Sequence, residues 1–366
     1  MGTAAKHSIA YYISAHGYGH GVRSGQIIRA VNALYPQLTI HIVSDLPFSF
    51  LTNQIGSSHN PMYRGSFDVG MVQLDSIRVD VDATLERVKQ LYDRRAETVS
   101  QETDFVVKNG IELVVADIPA IPIESAAVAG IRSLAIGNFG WDWIYSEFLR
   151  KDDRWGKVVE VIRQQYAMAD LLLRLPFCEE MNAFPNVEDI PLVASPGNSR
   201  RSEITTLTGC DPAKKWVLLS FTTLNWNGDA VARVMQNADC EFFTVLPLEW
   251  PDSGIHGLNR EQVPFSDVIA SVDVVISKPG FGILSDCIVN QKPLIYAERT
   301  DFLEFNILES AIRKYLRSVH IPAEDLYSGD LRASLDLLWQ SPAPSARVSR
   351  GGDQIAAKRI AQIVEA

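Results

Sequence analysis

Short apolar runs alternate with segments of helical period along this chain, and after residue 215 the alternation starts over. In the first half SIAYYISA (8–15), LTIHIVS (38–44), IELVVADI (111–118) and RSLAIGN (132–138) read as buried strands. In the second half WVLLSF (216–221), CEFFTVLPL (240–248), VDVVIS (272–277) and KPLIYAE (292–298) read the same way. Strands interleaved with helices dictate an α/β chain with mostly parallel sheets. Two such series in succession predict two Rossmann-like domains facing across a cleft, with ligands at the carboxyl ends of the strands.

The first helix is expected in GVRSGQIIRAVNALY, where Ile27, Ile28, Val31 and Leu34 recur at helical spacing. Residues 82–109 read as one long helix with Leu85, Val88 and Leu91 on one side and a solvated, charged face opposite. SPGNSRRSEITTLTGCDPAKK (195–215) is rich in Ser, Thr, Gly and Pro and lacks apolar periodicity, so it is expected to be a linker. The expected domains are 1–194 and 216–345. Residues 346–366 form a tail whose amphipathic helix is expected to pack back on the first domain.

Composition narrows the function. The 366 residues suffice for two domains. A net charge of −10 argues against a dedicated nucleic-acid binder, whose affinity comes largely from a basic surface. Cys178, Cys210, Cys240 and Cys287 are widely spaced with no C-x-x-C pair, which fits free thiols in a reducing cytoplasm better than a disulfide framework or structural zinc. The N-terminus lacks the apolar stretch of a signal peptide and no run is long enough for a membrane span, so a cytoplasmic protein is expected.

Two stretches carry candidate chemistry. His16-Gly17-Tyr18-Gly19-His20-Gly21 lies between the first strand and the first helix. Its glycines permit close approach of backbone to a ligand, and a helix start favours negative charge. It matches neither G-x-G-x-x-G nor a P-loop. The two histidines have no nearby carboxylate to complete a metal site. A histidine at a cleft suits general-base work, since its ordinary pKa of about 6.5 lies near neutrality; a tight turn with backbone-bonded histidines is the plain alternative. The second stretch, VVISKPGFGILSD (274–286), runs from strand through a glycine turn into a helix. Backbone N–H groups near Gly280 and Gly282 suit a diphosphate. Asp286 suits ribose hydroxyls, unless Ser285 and Asp286 only stabilise the helix start.

Together these stretches resemble the nucleotide-sugar glycosyltransferases of the two-domain GT-B fold. The first loop resembles that of the family that makes lipid II. VPFSDVIASVDVVISKPGFGILSD (263–286) resembles its nucleotide-binding segment, with Asp286 in place of the usual Glu. A closer resemblance is to the glycosyltransferase-like N-terminal region of plant L-arabinokinases. It rests on HGYGHGVR, FDVGMVQLDSIRVDVDATLE (67–86), VVADIPAIPIESAAVAGIRSLAIGNFGWDWIYSEF (114–148) and ISKPGFGILSD. No kinase motif occurs within the chain, so the resemblance implies a GT-B body and not sugar-kinase activity.

The resemblance implies that His20 or His16 orients or deprotonates an acceptor hydroxyl, with Gly17, Tyr18 and Gly19 on the acceptor side. It implies uracil against the backbone from Val263 to Phe265 and Ser266, with diphosphate and ribose at Gly280, Phe281, Gly282, Ser285 and Asp286. Glu304 and Asn306, in the loop that begins at Glu298, would meet the donor sugar. SFTTLNWNG lacks the paired glycines that often hold phosphate there, so the hydroxyls of Thr222 and Thr223 are expected to substitute, with Lys278 supplying positive charge. Asp117 is a second base candidate or a helix N-cap. Trp141 and Trp143 suit stacking on a sugar or packing in the core. The expected reaction is metal-independent transfer from a nucleotide sugar, most simply a UDP-sugar, to an unknown acceptor, with no further cofactor. An epimerase using Asp117 and Glu304, and a non-catalytic nucleotide-sugar sensor, are the alternatives.

Overall fold

The computed structural model describes residues 7–56, 59–74, 78–298 and 302–365, so Arg299, Thr300 and Asp301 of the expected sugar loop lie outside the described residues. The chain divides into two compact units. The first comprises Met1–Val72, Asp80–Ala194 and Ser349–Ala366; the second comprises Gln73–Val79 and Ser195–Val348.

In the first unit the strands are β1 (Ser8–Ile13), β2 (Thr39–Val43), β3 (Met62–Tyr63), β4 (Ile111–Asp117), β5 (Arg132–Gly137), β6 (Leu171–Arg174) and β7 (Val187–Asp189). They pair in the order β3-β2-β1-β4-β5-β6-β7, parallel throughout. Around them lie α1 (Tyr18–Leu34), α2 (Phe48–Ile55), α3 (Val81–Asp93), α4 (Arg95–Lys108), α5 (Ile121–Ala129), α6 (Trp141–Ser146) and α7 (Arg154–Tyr166).

The second unit holds α8 (Arg201–Thr208), β8 (Lys215–Ser220), α9 (Gly228–Val234), β9 (Cys240–Val245), β10 (His256–Leu258), α10 (Phe265–Ser271) and β11 (Val274–Ser277). It continues through α11 (Phe281–Asn290), β12 (Leu294–Ala297), α12 (Phe305–Tyr315), β13 (Ser318–Ile321), α13 (Ala323–Ser328) and α14 (Arg332–Gln340). Its strand order is β10-β9-β8-β11-β12-β13, again all parallel. Finally α15 (Gly352–Glu365) belongs to the first unit.

Both sheets therefore follow the doubly wound order 3-2-1-4-5-6, the first with one further strand at its end. In such a sheet the connections run outward in opposite directions from one central pair, and the gap above that pair's carboxyl ends is where ligands bind. The pair is β1 and β4 in the first unit, where Ile13 lies beside Asp117. In the second it is β8 and β11, where Ser220 lies beside Ser277 and accepts a 2.7 Å hydrogen bond from its hydroxyl.

Buried apolar faces hold the helices in place. Ile27, Ile28 and Val31 of α1 pack with Ala356, Ala357, Ile360 and Ala361 of α15 in one core cluster. Each large side chain so buried contributes about 1.5–3 kcal/mol. Against α2, α1 presents Gly21, where a Cβ would lie 2.5 Å from the Phe50 ring, so glycine is what permits this close packing.

Two expectations differ from the fold. The helix expected over 82–109 is broken at Arg94, and the pieces pack on different partners. Arg95 pairs with Glu124 of α5 at 2.5 Å, while Tyr92 donates to Gln165 of α7 at 3.0 Å. Residues 195–215, expected as a linker, carry α8 and are tied into the second unit. Arg200 pairs with Asp267 at 2.8 Å, and Arg201 pairs with Asp273 at 3.1 Å while lying over the Trp216 ring. All four cysteines are free thiols, and among the described residues no helix is long and apolar enough to cross a membrane.

Candidate functional site

His20, Arg23 and Ser24 share one face of α1, at the spacing that brings helical neighbours together. All three meet Asp117 at the end of β4. His20 Nδ1 lies 2.8 Å from Asp117 Oδ1, Ser24 donates to Oδ2 at 2.6 Å, and Arg23 Nε donates to Oδ2 at 2.8 Å. Arg23 also donates through a terminal nitrogen to Oδ1, and through the other to Asn138 Oδ1 at 2.6 Å. Asn138 is anchored in turn to the carbonyl of Pro176. Burial alone would push the Asp117 carboxyl up; the Arg23 guanidinium overrides it and, with His20, holds it well below the usual carboxylate range.

An ionised carboxylate facing Nδ1 fixes the tautomer. Nδ1 carries the hydrogen and donates to Asp117, which leaves the lone pair on Nε2. Among the described residues Nε2 has no hydrogen-bond partner. Such an imidazole can accept a proton from a hydroxyl. Asp117, a second base candidate in the sequence, instead orients His20: it is fully buried, saturated with donors and too weakly basic. Nor is it a helix N-cap, since α5 is capped by Ala120.

His16 has the opposite arrangement. Its Nδ1 accepts from the Met71 backbone N–H at 3.3 Å, which puts its hydrogen on Nε2. Gly70, at φ +66°, makes room for it, because a Cβ there would overlap the His16 ring. Trp141 lies edge to face with His16 and stacks on Tyr145. Only 3% of Trp141 is exposed, so the expected sugar-stacking role fails and packing explains it. Its indole N–H donates to Asp68 at 2.9 Å, and Ser14 donates to the other oxygen at 3.0 Å. Burial pushes the Asp68 carboxyl up. Trp143 is half-buried; Gly17 caps α1 without a side chain, and Tyr18 and Gly19 are exposed.

In the second unit Gly280 caps α11 in extended conformation. Glycine offers no side chain to cap this helix, and no acidic residue occupies its first turn, so the helix itself puts no carboxylate at its positive end. Ser285 and Asp286 lie in the second turn, so they do not stabilise the helix start. Ser285 donates to the Phe281 carbonyl at 2.7 Å. The Asp286 carbonyl accepts from Asn290 at 2.9 Å, but its carboxyl has no hydrogen bond or ion pair among the described residues, and burial pushes that carboxyl up to about 7. Thr222 and Thr223 are exposed just past β8, Val263 is buried, and Phe265 opens α10 beneath Arg260. Lys278 Nζ donates to Gln73 Oε1 at 3.3 Å. Gly282 is exposed in the first turn of α11, Glu304 caps α12, and Asn306 is exposed in its first turn. Among the described residues no group of three or more His, Cys, Asp or Glu side chains could hold a metal ion.

Sequence reasoning missed Arg23 and Asp68 and gave Asn138 no chemical role. Arg23 was within reach, three residues after His20 on a helix. Asp68 carried no local signal, because its partners lie 54 and 73 residues away.

No family model matches the chain. An L-arabinokinase of Arabidopsis thaliana is 29% identical over 334 residues, 90% of this chain and 32% of that protein, so the chain spans about a third of its length. Among solved structures, the glycotransferase of kitacinnamycin is similar over 98% of this chain and 100% of its own, with TM-score 0.69 and 15% identity. A Polygonum tinctorium UDP-glucosyltransferase able to glucosylate indoxyl is similar over 100% of both chains, with TM-score 0.61 and 14% identity. A UDP-glucose:anthocyanidin 3-O-glucosyltransferase in complex with UDP is similar over 99% of this chain and 95% of its own, with TM-score 0.59 and 13% identity. The chain has the GT-B fold of these glycosyltransferases, as the sequence led us to expect, and the likeness to an L-arabinokinase segment holds over most of its length.

Proposed function

We propose that the chain transfers a sugar from a UDP-sugar to an acceptor hydroxyl. The observation that carries this reading is the His20–Asp117 pair, an imidazole with a fixed tautomer and an open Nε2 at the central strand pair of a doubly wound sheet. The acceptor oxygen attacks the anomeric carbon as its proton passes to His20 Nε2. The bond from that carbon to the diphosphate breaks, and its electron pair leaves with UDP.

The second unit holds the donor in this reading. The glycine-capped start of α11 receives the diphosphate and stabilises its growing charge, without a metal ion. Asp286 accepts from ribose hydroxyls, which gives its unpartnered carboxyl the donors it lacks. Thr222 and Thr223 add hydroxyls near the phosphates, the Val263–Phe265 backbone faces the base, and Glu304 and Asn306 meet the sugar. The similarity to a UDP-glucosyltransferase and to a UDP-glucose:anthocyanidin 3-O-glucosyltransferase in complex with UDP supports UDP as the nucleotide.

Calorimetric titration with UDP, UMP and 2′-deoxy-UDP tests the donor site. The expected order of affinity is UDP first, with UMP and 2′-deoxy-UDP each weaker. Equal affinity for UDP and UMP would remove the diphosphate from α11. Mass analysis after incubation with UDP-sugars tests the reaction: free UDP supports transfer, and sugar interconversion without UDP release would make the chain an epimerase.

A further inference from the structure

The geometry points to Arg23 as a positioning residue that holds Asp117 and keeps the His20 imidazole ready to accept a proton; this inference rests on the proposed role of His20 as base. Most of the guanidinium's hydrogen-bonding capacity is spent here. Nε and one terminal nitrogen grip both oxygens of Asp117, and the other terminal nitrogen is tied to Asn138. The nitrogen that grips Oδ1 also lies 3.1 Å from His20 Nδ1. Both that nitrogen and Nδ1 carry hydrogen, so they share Oδ1 as acceptor and do not bond to each other.

Two consequences follow from this triangle. The carboxylate cannot rotate away from His20, because moving it would break a two-point grip on a buried cation. A proton added to His20 also places a second positive charge beside the guanidinium. A carboxylate alone favours imidazolium; a carboxylate already paired with arginine favours it less. Among the described residues the other titratable groups acting on this cluster are Asp68, whose carboxyl acts on His20 through space, and the buried Tyr11 hydroxyl, which burial and Asp117 keep neutral. Arg23 is the cation in contact with the pair, so its removal takes away the positive charge that opposes a proton on His20.

Arg23→Gln keeps hydrogen-bond donors and loses the charge; Arg23→Lys keeps the charge and loses the fork. The test follows the His20 Cε1–H resonance against pH by NMR, alongside kcat and KM for UDP release from a UDP-sugar. In Arg23→Gln the His20 titration and the acid limb of kcat are expected to move up together by about one pH unit. In Arg23→Lys the titration stays in place while kcat falls about tenfold with the donor KM unchanged. An Arg23→Gln protein with both titration and acid limb unmoved overturns the inference. Should Arg23→Gln not fold, Asn138→Ala decides, since it frees the outer end of the guanidinium. A lowered kcat at unchanged donor KM then supports the inference, and the parent's kcat overturns it. A parent protein that releases no UDP defeats the transferase reading instead, and the NMR titration still reads the coupling of Arg23 to His20.

Discussion

His20 Nδ1 and Asp117 Oδ1 stand 2.8 Å apart although 97 residues separate them in sequence. The doubly wound order makes them neighbours: α1 starts above β1, and Asp117 ends the adjacent β4. The carboxylate is wholly buried, so its charge is tolerated only because Arg23, Ser24 and His20 converge on it. Orientation of the imidazole and stability of this region rest on the same contacts.

Replacing Asp117 with Asn should therefore destabilise the fold as well as abolish activity. Removing one partner of a buried pair costs about 3–5 kcal/mol, which urea denaturation at pH 7 would detect. The pH dependence has a definite sign. The folded carboxyl lies below its unfolded value of about 3.9, so its contribution is complete above that value and is lost as pH falls through the folded one. The gap between wild type and Asp117→Asn should shrink in acid below about pH 4.

Asp286 should behave in the opposite way. Its folded carboxyl is raised to about 7, so the unliganded protein loses stability as pH rises from about 4 towards that value. Asp286→Asn should melt higher than wild type at pH 8 and nearly the same at pH 4. It should also bind UDP about 10–100-fold more weakly, the range for losing hydrogen bonds to a charged group. Melting curves with and without UDP read both effects.

Gly70→Ala combines a positive φ with a Cβ that overlaps His16. Strain and overpacking together should cost about 2–4 kcal/mol. Denaturation measures that cost, and a changed His16 ring resonance would report the displaced side chain.

Trp141→Phe keeps an aromatic ring but loses the indole N–H that donates to Asp68. The expected cost is about 1–3 kcal/mol, the penalty for an unsatisfied buried polar group. It should be larger at pH 8 than at pH 5, because burial already raises the Asp68 carboxyl and the lost donor served its ionised form.

The central strands were legible because strands covered on both faces read as continuous apolar runs. β3, β7 and β10 were not, being two or three residues long and at least partly exposed. The break at Arg94 escaped notice because neither Gly nor Pro marks it; the pull of Glu124 on Arg95 is a tertiary effect. At the site, residues inside one motif were visible together, as His16, His20, Gly280 and Asp286 were. Groups that act across the fold were not. Asp68 and Asn138 gain their partners only when loops after different strands meet, and the sequence left Trp141 between sugar stacking and core packing until its neighbours enclosed it.

UDP release from a panel of UDP-sugars, compared between wild type and His20→Ala, tests the proposed transfer most directly. The expected result is slow release by the wild-type protein, accelerated by a suitable acceptor. In His20→Ala it should fall about 10²–10⁴-fold while UDP affinity is retained. Undiminished release in His20→Ala, or a wild-type protein that neither binds UDP nor releases it from any UDP-sugar, would contradict it.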